Sequence, residues 1–336
     1  MDLRSDYLGI ELRNPLVASA SPLSSTLDGM RRLADAGVGA IVMFSLFEEE
    51  LRQEALHASR LVDDVAGSFA EALDYLPAIA MEDGGPRRYL DLLGRAAGSL
   101  DVPVIASLNG TSRQGWTGFA RSMQEAGAAA IECNIYYLPG DPDITGRDVE
   151  QRHLDILQDV KAAVTVPVAV KLHPYFSSIG EMVLALDRAG ADGLVLFNRV
   201  LQPDIDPDRL TPASGVHLSH PGEGRLALTW IALLRGRLKA SLAASTGVGT
   251  AADVARYLLA GADVVMTTSA LLRNGTGYAA RLIDGLSTWM TSKGFGTVAE
   301  LRGLLSVPPA GDAAAYERAG YVTALRAANA ERYISG

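Results

Sequence analysis

The chain has 336 residues, 48% hydrophobic and 21% charged, which is enough for one barrel-sized domain or two smaller ones. Its formal net charge of −9 argues against general nucleic-acid binding, which needs clustered cations to neutralise phosphates. A single cysteine, Cys133, excludes an intrachain disulfide and a cysteine-built zinc or iron–sulfur centre, and no run approaches the roughly 20 apolar residues that span a bilayer. The opening residues also lack the apolar core of a signal peptide, so a cytoplasmic protein without membrane contact is expected.

Taken in chain order, apolar β-rich runs occur at 16–19, 40–44, 104–108, 130–134, 168–172, 193–197, 242–245 and 264–267. Amphipathic helical patterns lie between most of them, at 26–36, 87–97, 118–126, 149–163, 181–189, 226–235 and 251–259. The junctions repeat. Ala36-Gly37-Val38, Ala126-Gly127-Ala128, Ala189-Gly190-Ala191-Asp192 and Ala260-Gly261-Ala262-Asp263 each close a helix and lead straight into a strand, with glycine free to take the left-handed cap. Val102-Pro103-Val104 and Val166-Pro167-Val168 open strands with proline where no ladder donor is needed. Such alternation predicts a parallel sheet, and its repetition over this length predicts a closed (β/α)8 TIM barrel over 1–305, followed by a linker and C-terminal helix over 306–336. An open doubly wound sheet would place glycines on the first strand–helix turn, which here reads Ser19-Ala20-Ser21-Pro22-Leu23. Two excursions, 48–86 and 198–225, are long enough to be binding loops or lids. A short helix is expected at 298–305 and a final one at 313–333.

Barrel chemistry gathers at the C-terminal strand ends. Those positions hold Asn109, Asn134, Lys171, His173, Asn198, Thr246, Gly247, Thr268 and Ser269. No carboxylate pair, nucleophile elbow or metal motif is among them. The two hydroxyl- and glycine-bearing clusters after the seventh and eighth strands suit a phosphate, or simply cap helices. Lys171 ends a buried strand, where its charge needs a partner. It forms either a structural ion pair or a cation placed to stabilise developing negative charge. His173 either faces the same site or is a satisfied loop histidine. Each asparagine alone is a common turn residue, but three on one rim suit a planar heterocycle or carbonyl compound. Cys133 points away from Asn134 by strand alternation and reads as packing, and His57 reads as a surface residue.

These residues resemble the dihydroorotate dehydrogenase family over nearly the whole chain. Residues 8–16 are similar to its opening hairpin and first strand. Val170-Lys171-Leu172-His173-Pro174-Tyr175-Phe176 resembles its "V-K-L-P-P-Y-F", and Glu132-Cys133-Asn134 its "E-L-N". Ser245-Thr246-Gly247-Val248 and Thr268-Ser269-Ala270-Leu271 resemble its two phosphate segments, and Tyr316–Tyr321 resembles the tail of a dihydroorotate dehydrogenase-like subgroup. The resemblance implies an FMN-dependent oxidoreductase acting on CH–CH bonds. FMN would be held by Ala18, Ser19, Asn109, Asn134, Lys171, Thr246, Gly247, Thr268 and Ser269. Substrate would be held by Asn134, Asn198 and His173.

The departures sit on the substrate side. The family's Cys or Ser base is Tyr137 here, its strand-two lysine is Phe44, and the segment 77–85 lacks its asparagine. Lys171, Tyr137 and Asn134 are therefore the catalytic candidates, with Tyr137 or Tyr136 as proton donor, and orotate's carboxylate is expected to bind weakly. Three further readings stand beside this one: a genuine dihydroorotate dehydrogenase with an altered base, an accessory flavoprotein, and a flavin-free phosphate-binding lyase or isomerase. An iron–sulfur or other electron-transfer protein is the implied partner, and analogy implies a homodimer.

Overall fold

The computed structural model describes residues 1–51, 85–112, 116–138, 140–201, 204–213, 215, 217–311 and 313–334. Most of the excursion after the second predicted strand therefore lies outside the described residues, as do His57 and nearly all of the 77–85 segment. Side-chain environments of 313–317 and 330–334, which include part of the proposed tail motif, are outside them as well.

The chain enters through a two-stranded hairpin, β1 (Ser5–Tyr7) and β2 (Ile10–Leu12), turned on Leu8 and Gly9, both with positive φ. Eight parallel strands follow: β3 (Leu16–Ala18), β4 (Ala40–Val42), β6 (Val104–Gly110), β7 (Ala130–Ile135), β8 (Val168–Leu172), β9 (Gly193–Leu196), β12 (Ser241–Ala244) and β13 (Val264–Thr267). They pair in sequence, and the β4–β6 and β13–β3 pairings close the barrel. The expected second strand is split. β4 stops at Val42, and a two-residue piece, β5 (Leu46–Phe47), resumes pairing with β6 opposite Leu108 and Asn109.

Side chains alternate across each strand, and two separate apolar cores result. Val17, Val42, Ile105, Ala130, Ala169, Val195, Ala243 and Met266 fill the barrel, closed from below by Tyr7, Leu8 and Leu12 of the hairpin. Gly193 makes that plug fit, because a Cβ there would stand 2.4 Å from Leu8 Cδ2. The larger core lies between strands and the surrounding helices and includes Cys133, whose thiol burial pushes up. Cys133 is a packing residue on the face opposite Asn134, as strand alternation requires.

The helices are α1 (Leu27–Asp35), α2 (Gly85–Ser99), α3 (Trp116–Glu125), α4 (Gly146–Ala163), α5 (Ile179–Arg188), α6 (Arg225–Leu234) and α7 (Ala251–Ala260), each within about three residues of its expected span at either end. A short α8 (Ser269–Asn274) and an eighth barrel helix, α9 (Tyr278–Lys293), complete the ring. The strand count had implied α9 without locating it. The short helix expected at 298–305 is confined to α10 (Val298–Leu301), and α11 (Ala313–Ile334) forms the C-terminal extension. The excursion after β9 carries an exposed hairpin, β10 (Asp204–Asp206) and β11 (Thr211–Ala213).

The Ala-Gly-Ala-Asp repeats have a structural role beyond the glycine cap. Asp192 accepts the Val168 N–H at 2.7 Å and pairs with Lys161 at 2.6 Å. Asp263 accepts the Leu242 N–H at 2.7 Å and pairs with Arg235 and Arg302, both at 2.9 Å. Each aspartate thus satisfies a donor near the start of a neighbouring strand, at the N-terminal end of the barrel that serves stability rather than chemistry.

Candidate functional site

The C-terminal rim is built by register. Asn109 of β6 stands opposite Asn134 of β7, which stands opposite Lys171 of β8, so three polar side chains share one level of the barrel interior. Asn198, just past β9, donates from Nδ2 to Asn134 Oδ1 at 2.8 Å and is held by its backbone N–H to Leu172 O. Lys171 donates to Ser19 Oγ at 3.3 Å. Ser19 follows β3 and is locked to the eighth strand, donating its N–H to Thr267 O and accepting from Thr268 Oγ1 at 3.1 Å. Ala18 precedes it and packs on the helix side, so only its backbone is near the rim.

A cavity of about 270 Å³ opens at this rim, lined among others by Lys171, Asn198, Thr246, Thr268, Ser269 and Ser219. That is slightly below the usual range for ligand pockets, roughly 300–1,000 Å³, and its walls are rich in hydroxyls. Asn134 adjoins it through Asn198. Ala18, Asn109, Gly247, His173 and Tyr137 do not line it.

The Thr246 hydroxyl sits on a sharp turn. Thr246 and Gly247 have φ of 76° and 71°. A β-branched residue in the left-handed region is strained and persists only where neighbours fix it. Thr246 Oγ1 donates to Phe197 O at 2.9 Å, and Thr246 O accepts from Tyr257 Oη at 2.7 Å. Gly247 lies so close beneath the loop after β9 that a Cβ would meet Gly224 N at 2.5 Å. Gly247 N–H donates to Ser219 Oγ at 3.4 Å, and Ser219 Oγ reaches Ser269 Oγ at 3.0 Å. Arg273 pins that loop through Ser219 O and Leu218 O.

The start of α7 is already filled. Asp253 Oδ2 accepts from Gly249 N (3.1 Å), Thr250 N (2.8 Å) and Thr250 Oγ1 (2.8 Å), completing a capping box. The donors at the helix terminus near Ala251 are therefore already taken by Asp253.

His173 turns away from the cavity. β8 ends at Leu172, strand alternation lapses there, and the imidazole stacks on Phe176 (4.5 Å, 11°) with its edge region near His153 (5.7 Å). Burial lowers its proton affinity, and its Nδ1 accepts from Tyr175 N at 3.0 Å. Tyr137 is half-buried beside it, with the Arg152 guanidinium 4.0 Å from its ring centre. Tyr136 is committed elsewhere: its hydroxyl accepts the Leu201 N–H at 2.7 Å, tying the loops after β7 and β9 together. Phe44, in the place of the family's lysine, packs edge-on against Tyr89 at 5.0 Å.

Three residues of the site had weak or absent sequence signals. Glu132 lies on the same face as Asn134, two positions below it, and pairs with Lys171 at 3.5 Å. A carboxylate inside an apolar strand was the signal available for it. Ser219 sits in an aperiodic loop, and Arg152 reads as an ordinary exposed helix position.

The structure is a closed parallel barrel whose C-terminal rim carries a cavity lined by a lysine, an amide and several hydroxyls. The chain belongs to the dihydroorotate dehydrogenase family, whose model matches residues 2–290. It is 28% identical over 310 residues to the catalytic subunit of dihydroorotate dehydrogenase B (NAD(+)) of Methanothermobacter thermautotrophicus, covering 90% of this chain and 98% of that one. The NAD-dependent dihydropyrimidine dehydrogenase subunit PreA of Escherichia coli is 26% identical over 329 residues, 93% of this chain and 79% of its own. The dihydroorotate dehydrogenase B catalytic subunit of Halalkalibacterium halodurans is 31% identical over 234 residues, 68% and 76% of the two chains.

Proposed function

We propose that this protein is an FMN-dependent oxidoreductase acting on a CH–CH bond of a small, pyrimidine-like substrate, with Tyr137 in the place of the family's Cys or Ser base. The observation that carries the reading is the Asn134–Asn198 pair at 2.8 Å beside a cavity that Asn198, Lys171 and several hydroxyls line together. The residues fit the cofactor. Ser19 and Lys171 line the cavity, Asn134 adjoins it through Asn198, Asn109 stands beside Asn134 in register, and the hydroxyls of Thr246, Thr268 and Ser269 in the same lining suit a phosphate. Bound FMN supplies the two-electron acceptor that side chains lack.

The chain's own residues do the rest. Asn134 and Asn198 present donors and acceptors to a planar substrate and fix its orientation. Lys171 brings positive charge to where negative charge develops. Tyr137 exchanges a proton with the substrate through its hydroxyl. With Phe44 in the place of a lysine, the substrate side has lost a cation for a carboxylate, which favours a neutral dihydropyrimidine over dihydroorotate. A genuine dihydroorotate dehydrogenase with an altered base is the second reading, supported by the likeness to two dihydroorotate dehydrogenase B catalytic subunits.

Two of those relatives are named catalytic subunits and the third a subunit. With Cys133 as its single cysteine, buried in the core, this chain would pass electrons to a partner protein that carries an iron–sulfur or other redox centre. A cytoplasmic homodimer completes the proposal. No described helix is long and apolar enough to cross a membrane.

The test is the visible spectrum of the purified protein with mass analysis of the released cofactor, followed by anaerobic addition of dihydrouracil or dihydroorotate. FMN bleached by dihydrouracil alone supports the first reading. Bleaching by dihydroorotate supports the second. A colourless protein overturns both.

A further inference from the structure

Lys171 is not a free cation. Its Nζ lies 3.5 Å from Glu132 Oε1 inside the barrel, with side chains 7% and 1% exposed. Neither Glu132 oxygen has a hydrogen-bond partner among the described residues. A buried carboxylate ordinarily collects several donors, and this one has a single cation at the long end of ion-pair range. Lys171 divides its attention between that carboxylate and Ser19 Oγ, and it lines the cavity. The pair is net neutral, so Glu132 cancels much of the field that Lys171 would project into the cavity.

Among the described residues, the groups that face Glu132 offer no substitute cation. Lys171 faces it from β8. Tyr7 lies below on the hairpin, its buried hydroxyl without a partner, and burial and then Glu132 hold its proton on. Tyr89 on α2 and the neighbouring Cys133 also sense Glu132, and burial keeps both protonated. Ser107, opposite Glu132 on β6, and Ser19, just past β3, do not titrate. If Lys171 turns toward negative charge arriving in the cavity, Glu132 is left as an unpaired buried anion, the costliest state available to it.

We propose that Glu132 is a positioning residue that governs how much of Lys171's charge reaches the cofactor, and that it takes up a proton when the site is reduced. Resting on the FMN reading, the balance is this: two electrons and one proton enter the cofactor as hydride from the substrate, and a second proton, from water, ends on the Glu132 carboxylate. Lys171 is released to the cavity, and the site's net charge rises by one to meet the charge delivered.

The experiment is a stepwise dithionite titration of the flavin-loaded protein against reference dyes across the neutral pH range, for wild type and Glu132→Gln. It is paired with reduced-minus-oxidised infrared difference spectra. A tenfold change in a two-electron equilibrium is about 30 mV, so uptake of two protons gives a slope of about 60 mV per pH unit and uptake of one gives about 30 mV. Wild type is expected to follow the steeper slope and Glu132→Gln the shallower, with a protonated-carboxyl band appearing on reduction of wild type alone. Equal slopes in the two proteins, or no carboxyl band in wild type, overturn the proposal. Should Glu132→Gln fail to fold with flavin, the wild-type infrared band decides by itself. A protein that holds no FMN overturns the function proposed above and this inference with it, and that outcome is visible before any titration begins.

Discussion

Gly247→Ala isolates the hydroxyl-bearing turn of the site. The residue has φ of 71°, where a side chain costs roughly 1–2 kcal/mol. The added Cβ would stand 2.5 Å from Gly224 N, 2.8 Å from Gly224 Cα and 3.1 Å from Pro221 O, all backbone atoms that cannot rotate aside. Forcing such a contact in a packed region costs about 1–3 kcal/mol more. The loss is therefore about 2–5 kcal/mol, unless the loop after β9 lifts away. Lifting would break the Gly247–Ser219 bond and the approach of Ser219 to Ser269, and with them the surroundings of the phosphate. Either way the variant is expected to lose both stability and flavin. Gly249→Ala is the control. Its φ is not left-handed, and its nearest neighbours are Pro221 Cγ at 3.3 Å and Asp253 Oδ2 at 3.7 Å, so a loss below about 1 kcal/mol is expected. Urea unfolding and the FMN-to-protein ratio after gel filtration read both effects. If Gly247→Ala matches wild type in midpoint and flavin content, the close packing of this loop on the turn is wrong.

Three further outcomes are expected. Tyr137→Phe should keep FMN but lower substrate-driven flavin reduction by about 10²–10⁴-fold, the usual worth of a general acid or base; unchanged turnover removes Tyr137 from the chemistry. Asp263→Asn leaves Arg235 and Arg302 without their shared carboxylate, and loss of one member of a buried pair costs about 3–5 kcal/mol, read as a lower urea midpoint with FMN still bound. Burial lowers His153 from 6.5 to about 4, against the opposing pull of its bond to Val149 O. The unfolded chain therefore binds a proton that the folded one refuses as the pH drops from 6.5 toward 4. Stability falls across that window, by about 3 kcal/mol at full extent. His153→Phe should flatten this dependence, and an identical pH profile in the two proteins would show that His153 is not its source.

The barrel was legible in the sequence because its cause is local and periodic. Strands buried on both faces read as apolar runs, helices read as amphipathic stretches, and Ala-Gly-Ala steps mark where one becomes the other. Lys171, Asn134 and Asn198 stood out for a related reason: polar side chains at the ends of apolar runs are expensive unless used. The tertiary structure decided what each of them meets. Strand closure brings Ser19 across 152 residues to Lys171, and the register places Glu132 behind that lysine, a pairing that no spacing along the chain encodes. Ser219 reaches Gly247 and Ser269 from a loop without periodicity, so its place depended on where β9 delivers the chain. His173 shows the limit most plainly. Two residues beyond Lys171, alternation would aim it into the cavity, but the strand ends at Leu172 and the ring finds Phe176 and His153 instead. Periodicity holds only while the ladder hydrogen bonds last; past the last of them, packing chooses the direction.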